Sequence, residues 1–264
     1  MTDYNAYFDT LKAQGIKLTE GQKRWYIKKA EVLQESMKKE YPSTAAEAFE
    51  VNTVGLYYAA HVSAMRAQKR IINIPYDPTL KVHTAWDIGF TDFTSIIFFC
   101  VSGKEIHIVD FIELTGCSLV ECIKALKSKD YIYGTHLAPH DIRNHEYSTG
   151  VTRYETASKL GINFVIVPDV SIADGIDTVR NMFPRLWVNN SDSCLSLVHH
   201  IENYSQVWDT RLGCWSGRPN HDPHSHAADS LRYLCVGLDL ALSDAQGVTQ
   251  DQADAMWRQH GRRI

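Results

Sequence analysis

The sequence predicts an α/β domain in which an antiparallel three-strand meander is extended into a mixed sheet by parallel strands, with helices on the faces and a helical segment ahead of it. Two observations carry this. The β-rich runs Val82 to Phe90, Thr94 to Val101 and Glu105 to Ile112 are separated only by Thr91-Asp92-Phe93 and Ser102-Gly103-Lys104, connections too short for anything but antiparallel pairing. Beyond them, strand-like runs alternate with helix-length segments, the pattern of parallel strands joined by crossover helices.

Each element has a local signal. Thr19-Glu20-Gly21-Gln22 reads as a capping box for a helix running to Lys39, with Trp25, Leu33 and Met37 at near-helical spacing among Lys23, Arg24, Lys28, Lys29, Lys38 and Lys39. Tyr41-Pro42 stops this basic amphipathic helix, and Ala45 to Phe49 suggests one more short turn. The string from Ile71 to Leu80 has two prolines and no period, and reads as a linker into the second part. There, Ser118-Leu119-Val120-Glu121 is a capping box for a helix to Lys129, followed by a strand from Tyr131 to Pro139. A helix near Tyr154 to Leu160, a strand from Asn163 to Val167, a helix near Ala173 to Phe183 and a short strand from Arg185 to Val188 follow. A helix from Ser191 to Tyr204, a hairpin-like stretch from Val207 to Trp215 and a final helix from Pro223 to about Leu242 complete the domain. The expected division is 1–76, 77–242 and a loose tail, 243–264.

Composition bounds the function. With 264 residues, 44% hydrophobic and 22% charged, the chain is long enough for one substantial core. No run approaches the roughly 18 apolar residues of a membrane helix, and the start lacks a signal-peptide profile, so a soluble, unexported protein is expected. Six cysteines without a C-x-x-C pair predict free thiols, and neither a disulfide framework nor a zinc ribbon. The net charge of −4 advertises no global nucleic-acid field, but it is uneven: residues 1–76 hold 11 basic and 8 acidic side chains, net +3, and the remainder carries net −7.

Three carboxylates stand out, because Asp is depleted in strands and costly in a core unless paired or bound to metal. Asp87 lies on the first strand of the meander, beside Gly89. Asp141 follows the strand ending at Pro139, at the carboxyl edge where sites assemble in open sheets. Asp229 lies about one turn into the last helix, after Ala227 and Ala228, whose small side chains let that helix press on the sheet. Each has a plain structural alternative: Asp87 answering a buried Arg, Asp141 capping a loop, Asp229 favouring its helix's positive end. Together, hard oxygen ligands on three separate elements suit Mg²⁺ or Mn²⁺.

The strings Asp87-Ile88-Gly89-Phe90-Thr91-Asp92, Pro139-His140-Asp141, Ala173-Asp174-Gly175-Ile176 and His221-Asp222 through His226-Ala227-Ala228-Asp229-Ser230-Leu231-Arg232-Tyr233 resemble the nuclease domain of the tailed-phage terminase large subunit, within the RNase H-like superfamily. The basic segment from Leu18 to Phe49 resembles the stretch that leaves this family's ATPase motor. The resemblance implies an RNase H-like sheet whose metal ligands are Asp87, Asp141 and Asp229, with Asp87 bridging two ions. It implies cleavage of double-stranded DNA with little sequence preference during genome packaging, leaving 5′-phosphate ends. The implied partners are double-stranded DNA, the portal protein, the small terminase subunit and the ATPase domain of the same polypeptide, in the host cell cytoplasm. No G-x-x-x-x-G-K-[ST] string occurs, so the chain is expected to lack ATPase activity and to be part of a longer protein.

Around these ligands, Asp92 either orders metal-bound water or caps its own turn, and His226 is the histidine expected to touch a metal-bound water or a ligand. Arg143, Arg153, Lys159, Arg211 and Arg218 are candidate phosphate contacts, or else solvated surface. The Trp-flanked hairpin is either a flap over the duplex or part of the core. His136, His140, His145, His221, His224 and His226 raise zinc as a rival, which their spacing disfavours. Removing one carboxylate from a like-charged cluster is expected to leave the metal-free fold as stable or more so. The competing functions are a nuclease acting on junctions or hybrids, and a non-catalytic docking module for portal or small subunit.

Overall fold

The computed structural model describes residues 4–33, 37, 41–44, 53–89, 93–144 and 150–244. They divide into two compact units, one ending at Gly55 and the other beginning at Leu56. In the first, α1 (Tyr4–Ala13) and α2 (Glu20–Leu33) share a small core. The expected capping box is present: the Thr19 N–H donates to Gln22 Oε1 at 2.8 Å and the Gln22 N–H to Thr19 Oγ1 at 3.3 Å. The apolar face is offset from expectation, however. Tyr26, Ala30 and Met37 are buried with Leu33 packed against them, while Trp25 is 46% exposed and meets Tyr41 edge-on. Tyr26 is the inward residue because α1 presents Tyr4, Tyr7 and Phe8 to its ring. Lys38, Lys39 and the turn expected at Ala45 to Phe49 lie outside the described residues, as does the chain from residue 245 on.

The second unit runs α3 (Ala59–Ala67), β1 (Ile71–Ile72), β2 (Val82–Ile88), β3 (Phe93–Ser102), β4 (Glu105–Thr115), α4 (Leu119–Lys127), β5 (Tyr133–Ala138), a 3-10 turn (His140–Arg143), α5 (Arg153–Lys159), β6 (Phe164–Ile166), α6 (Ile172–Met182), β7 (Leu186–Asn189), α7 (Asp192–Asn203), β8 (Gln206–Asp209), β9 (Cys214–Pro219) and α8 (Pro223–Asp244). Seven strands form one sheet in the order β1-β7-β4-β3-β2-β5-β6. The meander β2-β3-β4 is antiparallel, and β5-β6 on one side and β7-β1 on the other extend it in parallel. The head of the expected linker is therefore an edge strand, Ile71 pairing with Val188, and the second unit begins ahead of residue 77.

The sheet is covered on both faces. Along β3, Ile96, Phe98 and Cys100 join Cys122, Ile123, Leu126 and Ala157 from α4 and α5, while Ile97 and Phe99 join residues of α6, α7 and α8. On β2, Trp86 belongs to the first face and Ala85 to the second. Side chains alternate along a strand, so Asp87 shares the α8 face with Ala85. The helix approaches closely: Ala227 and Ala228 are buried, and a Cβ on Gly237 would lie 2.9 Å from Leu137 Cδ1 and 3.0 Å from Val167 Cγ2. The Ser230 hydroxyl bonds the Ser95 carbonyl at 3.1 Å, fixing α8 against β3. Strands β8 and β9 form a separate two-stranded sheet with Trp208 opposite Trp215, and these rings are 47% and 36% exposed, so the hairpin is not a core element. Among the described residues no helix is long and apolar enough to cross a membrane.

A buried polar chain crosses β2 and β5. Trp86 Nε1–H donates to Thr84 Oγ1 at 2.7 Å, and Thr84 Oγ1 and His136 Nδ1 share a hydrogen bond, also of 2.7 Å. Burial, with His83 alongside, disfavours a charged imidazole here and pushes His136 down to about 4. An unfolded chain takes up this proton near pH 6.5 and the folded one does not, so stability falls as pH drops from 6.5 towards 4. At pH 5 the expected loss from this residue is about 2 kcal/mol. Urea unfolding at pH 7 and pH 5 checks it: His136→Gln, which retains an acceptor for Thr84, should lose correspondingly less stability than the parent over this interval.

Candidate active site

The site grows from the carboxyl edge of two neighbouring parallel strands. Asp87, one residue from the end of β2, lies opposite Ser95 of β3. Ala85 lies beside Leu137 of β5, so the chain leaving β5 through Pro139 carries Asp141 past the same edge in the first turn of the 3-10 segment. Helix α8 descends on the Asp87 face and supplies His226 and Asp229.

Asp87 Oδ2 and His226 Nδ1 share a 2.9 Å hydrogen bond, the two side chains being only 17% and 10% exposed. Burial raises the Asp87 pKa above the ordinary carboxylate range; the His226 bond opposes this, and the charges of Asp229 and then Asp141 add to it. Burial likewise raises the Tyr233 hydroxyl, with Arg232 opposing and Asp87, Asp229 and Asp141 all adding. The three carboxylates expected to act together therefore share one electrostatic field.

Arg232 belongs to the last of the motif strings, yet the sequence reading assigns it no role. Its Nη2 and Nε bond Asp229 Oδ1 at 2.8 and 3.3 Å, and its guanidinium lies 4.7 Å from the Tyr233 ring centroid. The signal is present in the sequence, since Asp and Arg three apart on a helix face each other. Ser95 is a second such residue: its hydroxyl, on a fully buried residue across from Asp87, has no hydrogen-bond partner among the described residues.

Among the described residues no three His, Cys, Asp or Glu side chains are grouped to hold a metal ion, so the carboxylates share a field without enclosing a site. Their chemistry nonetheless fits a hard cation: three carboxylates, an unanswered hydroxyl, and mutual repulsion that positive charge relieves. Of the histidines, His221 packs against His226 with ring centroids 5.4 Å apart. His136 lies in the sheet, His140 meets Asp169 at the surface at 3.8 Å, and His224 Nδ1 faces His200 Nδ1 at 3.1 Å. Asp92 and His145 lie outside the described residues.

Of the five candidate phosphate contacts, Arg153 donates to the Ile88 carbonyl at 3.0 Å and so braces the end of β2 next to Asp87. The Arg143 guanidinium lies 5.7 Å from the Tyr154 ring centroid. Lys159, Arg211 and Arg218 are exposed, the last two on the β8-β9 hairpin. A cavity of about 270 Å³ opens between Gly89, the first turn of α4, Arg153 and Thr156.

A central antiparallel meander extended by parallel strands, with helices on both faces, is the mixed α/β fold the sequence predicts. Solved large terminases have a similar fold. The large terminase of a thermophilic bacteriophage, solved with ADP, matches with a TM-score of 0.52 at 16% identity over 68% of this chain and 44% of that one. The nuclease domain of the P22 large terminase aligns with a TM-score of 0.49 at 17% identity over 66% of this chain and 90% of that one. In sequence, 66 residues are 35% identical to the terminase large subunit of Escherichia phage T5, covering 24% of this chain and 15% of that protein. The chain thus spans less than half of the thermophilic phage's protein and matches a small part of the T5 one. No family model matches the chain.

The Arg232 pairing changes what removal of a carboxylate does without metal. Asp229→Ala strands a guanidinium whose side chain is only 12% exposed, and this outweighs relief of like-charge repulsion. A loss of about 1–3 kcal/mol is expected, against a change within about 0.5 kcal/mol for Asp141→Ala at its exposed position. Urea denaturation in EDTA distinguishes this from the equal or raised stability that repulsion alone predicts.

Proposed function

We propose that this chain is the nuclease part of a tailed-phage terminase large subunit and hydrolyses double-stranded DNA, with little sequence preference, using divalent ions held by Asp87, Asp141 and Asp229. The observation that supports this reading is geometric: Asp87 lies one residue from the end of β2, Asp141 lies in the turn just beyond the neighbouring parallel β5, and α8 brings His226 to Asp87 at 2.9 Å. The similarity to the T5 protein supports the terminase assignment.

Held by these three carboxylates, Mg²⁺ or Mn²⁺ ions would supply activation of a water and charge stabilisation at the leaving 3′ oxygen, so that hydrolysis would give 5′-phosphate ends. The chain's own residues do the rest. Asp87 would offer Oδ1 while its Oδ2 is held by His226, Asp229 is held by Arg232, and Asp141 would add an oxygen from the 3-10 turn that follows β5. Arg153 braces the backbone after Asp87, and Arg143, Lys159, Arg211 and Arg218 offer cations to phosphates around the rim. The hairpin's exposed tryptophans and arginines make it a second DNA-contacting element. With no P-loop string, translocation is assigned to an ATPase domain elsewhere in the same polypeptide, with portal and small subunit as further partners in the host cytoplasm.

The test is digestion of supercoiled plasmid without ATP, in Mg²⁺, Mn²⁺, Ca²⁺ or EDTA. Nicked and linear products are expected in Mg²⁺ or Mn²⁺ only. Asp87→Asn, Asp141→Asn and Asp229→Asn, which keep size and hydrogen bonding, should each lower the rate at least about 100-fold with circular dichroism unchanged. Cleavage persisting in EDTA, or a parent rate in any of the three, removes the corresponding part of the proposal.

A further inference from the structure

We propose that Arg232 is a positioning residue for Asp229: it pins one oxygen of the carboxylate so that the other is presented to the divalent ion. This rests on the metal reading above.

Both guanidinium bonds fall on Asp229 Oδ1, at 2.8 and 3.3 Å. An exposed pair three residues apart on a helix is worth little and holds no fixed geometry. This pair is different, because the Arg232 side chain is seated from three directions. Asp229 takes its donors, and the Tyr233 ring lies under its guanidinium at 4.7 Å. The third support comes from another helix: a Cβ at Gly175 of α6 would lie 2.4 Å from Arg232 Cδ and 2.9 Å from Cγ. Helix α6 therefore has no side chain at the one place where the Arg232 stem passes, although glycine inside a helix is less stable than alanine. The gap serves the arginine's path and not backbone conformation, since Gly175 lies within α6 and is not among the positive-φ glycines.

Two roles for such an arginine predict opposite outcomes. A counter-ion that merely neutralises Asp229 competes with the metal, so its removal tightens metal binding. A positioning residue holds the ligand in place, so its loss weakens metal binding, typically about 10- to 100-fold for partners of ligating carboxylates. The asymmetric use of Oδ1 favours the second, because it leaves Oδ2 to the ion.

The experiment is calorimetric titration of the full chain with Mn²⁺, without DNA, on the parent, Arg232→Lys, Arg232→Gln, Gly175→Ala and Asp229→Asn, each checked for folding by circular dichroism in EDTA. Lysine keeps the charge and loses the two-donor fork, whereas Gly175→Ala keeps every charged group and displaces the stem. Mn²⁺ binding weaker by about 10-fold or more is expected in Arg232→Lys and Arg232→Gln, with a smaller loss in Gly175→Ala. Parent-like binding in Arg232→Lys would reduce the contact to an ordinary helix ion pair, and tighter binding in Arg232→Gln would make it a competing counter-ion; either overturns the proposal. Should the parent bind Mn²⁺ no better than Asp229→Asn does, the metal reading itself fails and this inference falls with it, an outcome distinct from failure of the arginine variants alone.

Discussion

Asp87 is a carboxylate near the end of a strand buried on both faces, and removing that charge from water is the constraint from which the rest of the site follows. Such a group needs a partner or it protonates. The partner is His226, which lies on a helix, so α8 must approach the sheet closely enough to put an imidazole within hydrogen-bond reach. The approach needs small residues, and Ala227, Ala228 and Gly237 provide them where Leu137 and Val167 press upward. Ser230 then fastens the helix to the residue opposite Asp87. Bringing α8 in also brings Asp229, a second negative charge, which Arg232 answers, and Arg232 in turn needs the gap at Gly175. One buried charge thus accounts for features on three elements that look unrelated in sequence.

This chain of dependence explains what could be seen beforehand. The meander was legible because its two connections are too short for alternatives, and the Ser118–Glu121 box was legible because both of its bonds are made within four residues. Asp87 stood out as a carboxylate within a strand, where such residues are disfavoured. Pairings between distant segments were not. Ile71-Ile72 becomes a strand only because β7 offers a free edge, and a two-residue ladder has no period to detect. Trp25 outranks Tyr26 in size, yet Tyr26 is buried because the aromatic residues of α1 lie on its side. Gly175 has an ordinary helical backbone, so its reason for being glycine lies far along the chain in Arg232 and is invisible to any local rule.

The distribution of charge bears on how an acidic domain meets a polyanion. The cationic groups in the described part of the domain are not pooled into one patch. Arg153 is committed to the backbone beside Asp87, and Arg232 to Asp229, so neither offers a freely mobile charge to solvent. Those left at the surface are spread over several elements, among them α4, the 3-10 turn, α5 and the hairpin. Phosphate attraction from such an arrangement is modest and strongly weakened by salt, and divalent ions at the centre add to it by cancelling the carboxylates. Under the proposed function, DNA is held mainly by whatever delivers it.

A docking module would also display acidic residues, and what separates it from an enzyme here is where the polar groups are buried. A surface that only binds a partner keeps its charges in water until the partner arrives, and gains nothing from sinking a carboxylate against the sheet. In this domain Asp87 is pushed above its ordinary range by burial and by two further carboxylates, and Ser95 across from it holds a hydroxyl with no partner among the described residues. Each feature costs stability in the free chain, of the order of 1–3 kcal/mol for an unanswered buried polar group. Local rules broken together at one spot, and only partly answered by the His226 contact, are the usual mark of a site whose missing partner is a ligand. Under the proposed function, the ligand that removes the cost for three carboxylates and a hydroxyl is a small hard cation, and one held by Asp87 at a sheet edge would be placed for catalysis more naturally than for adhesion.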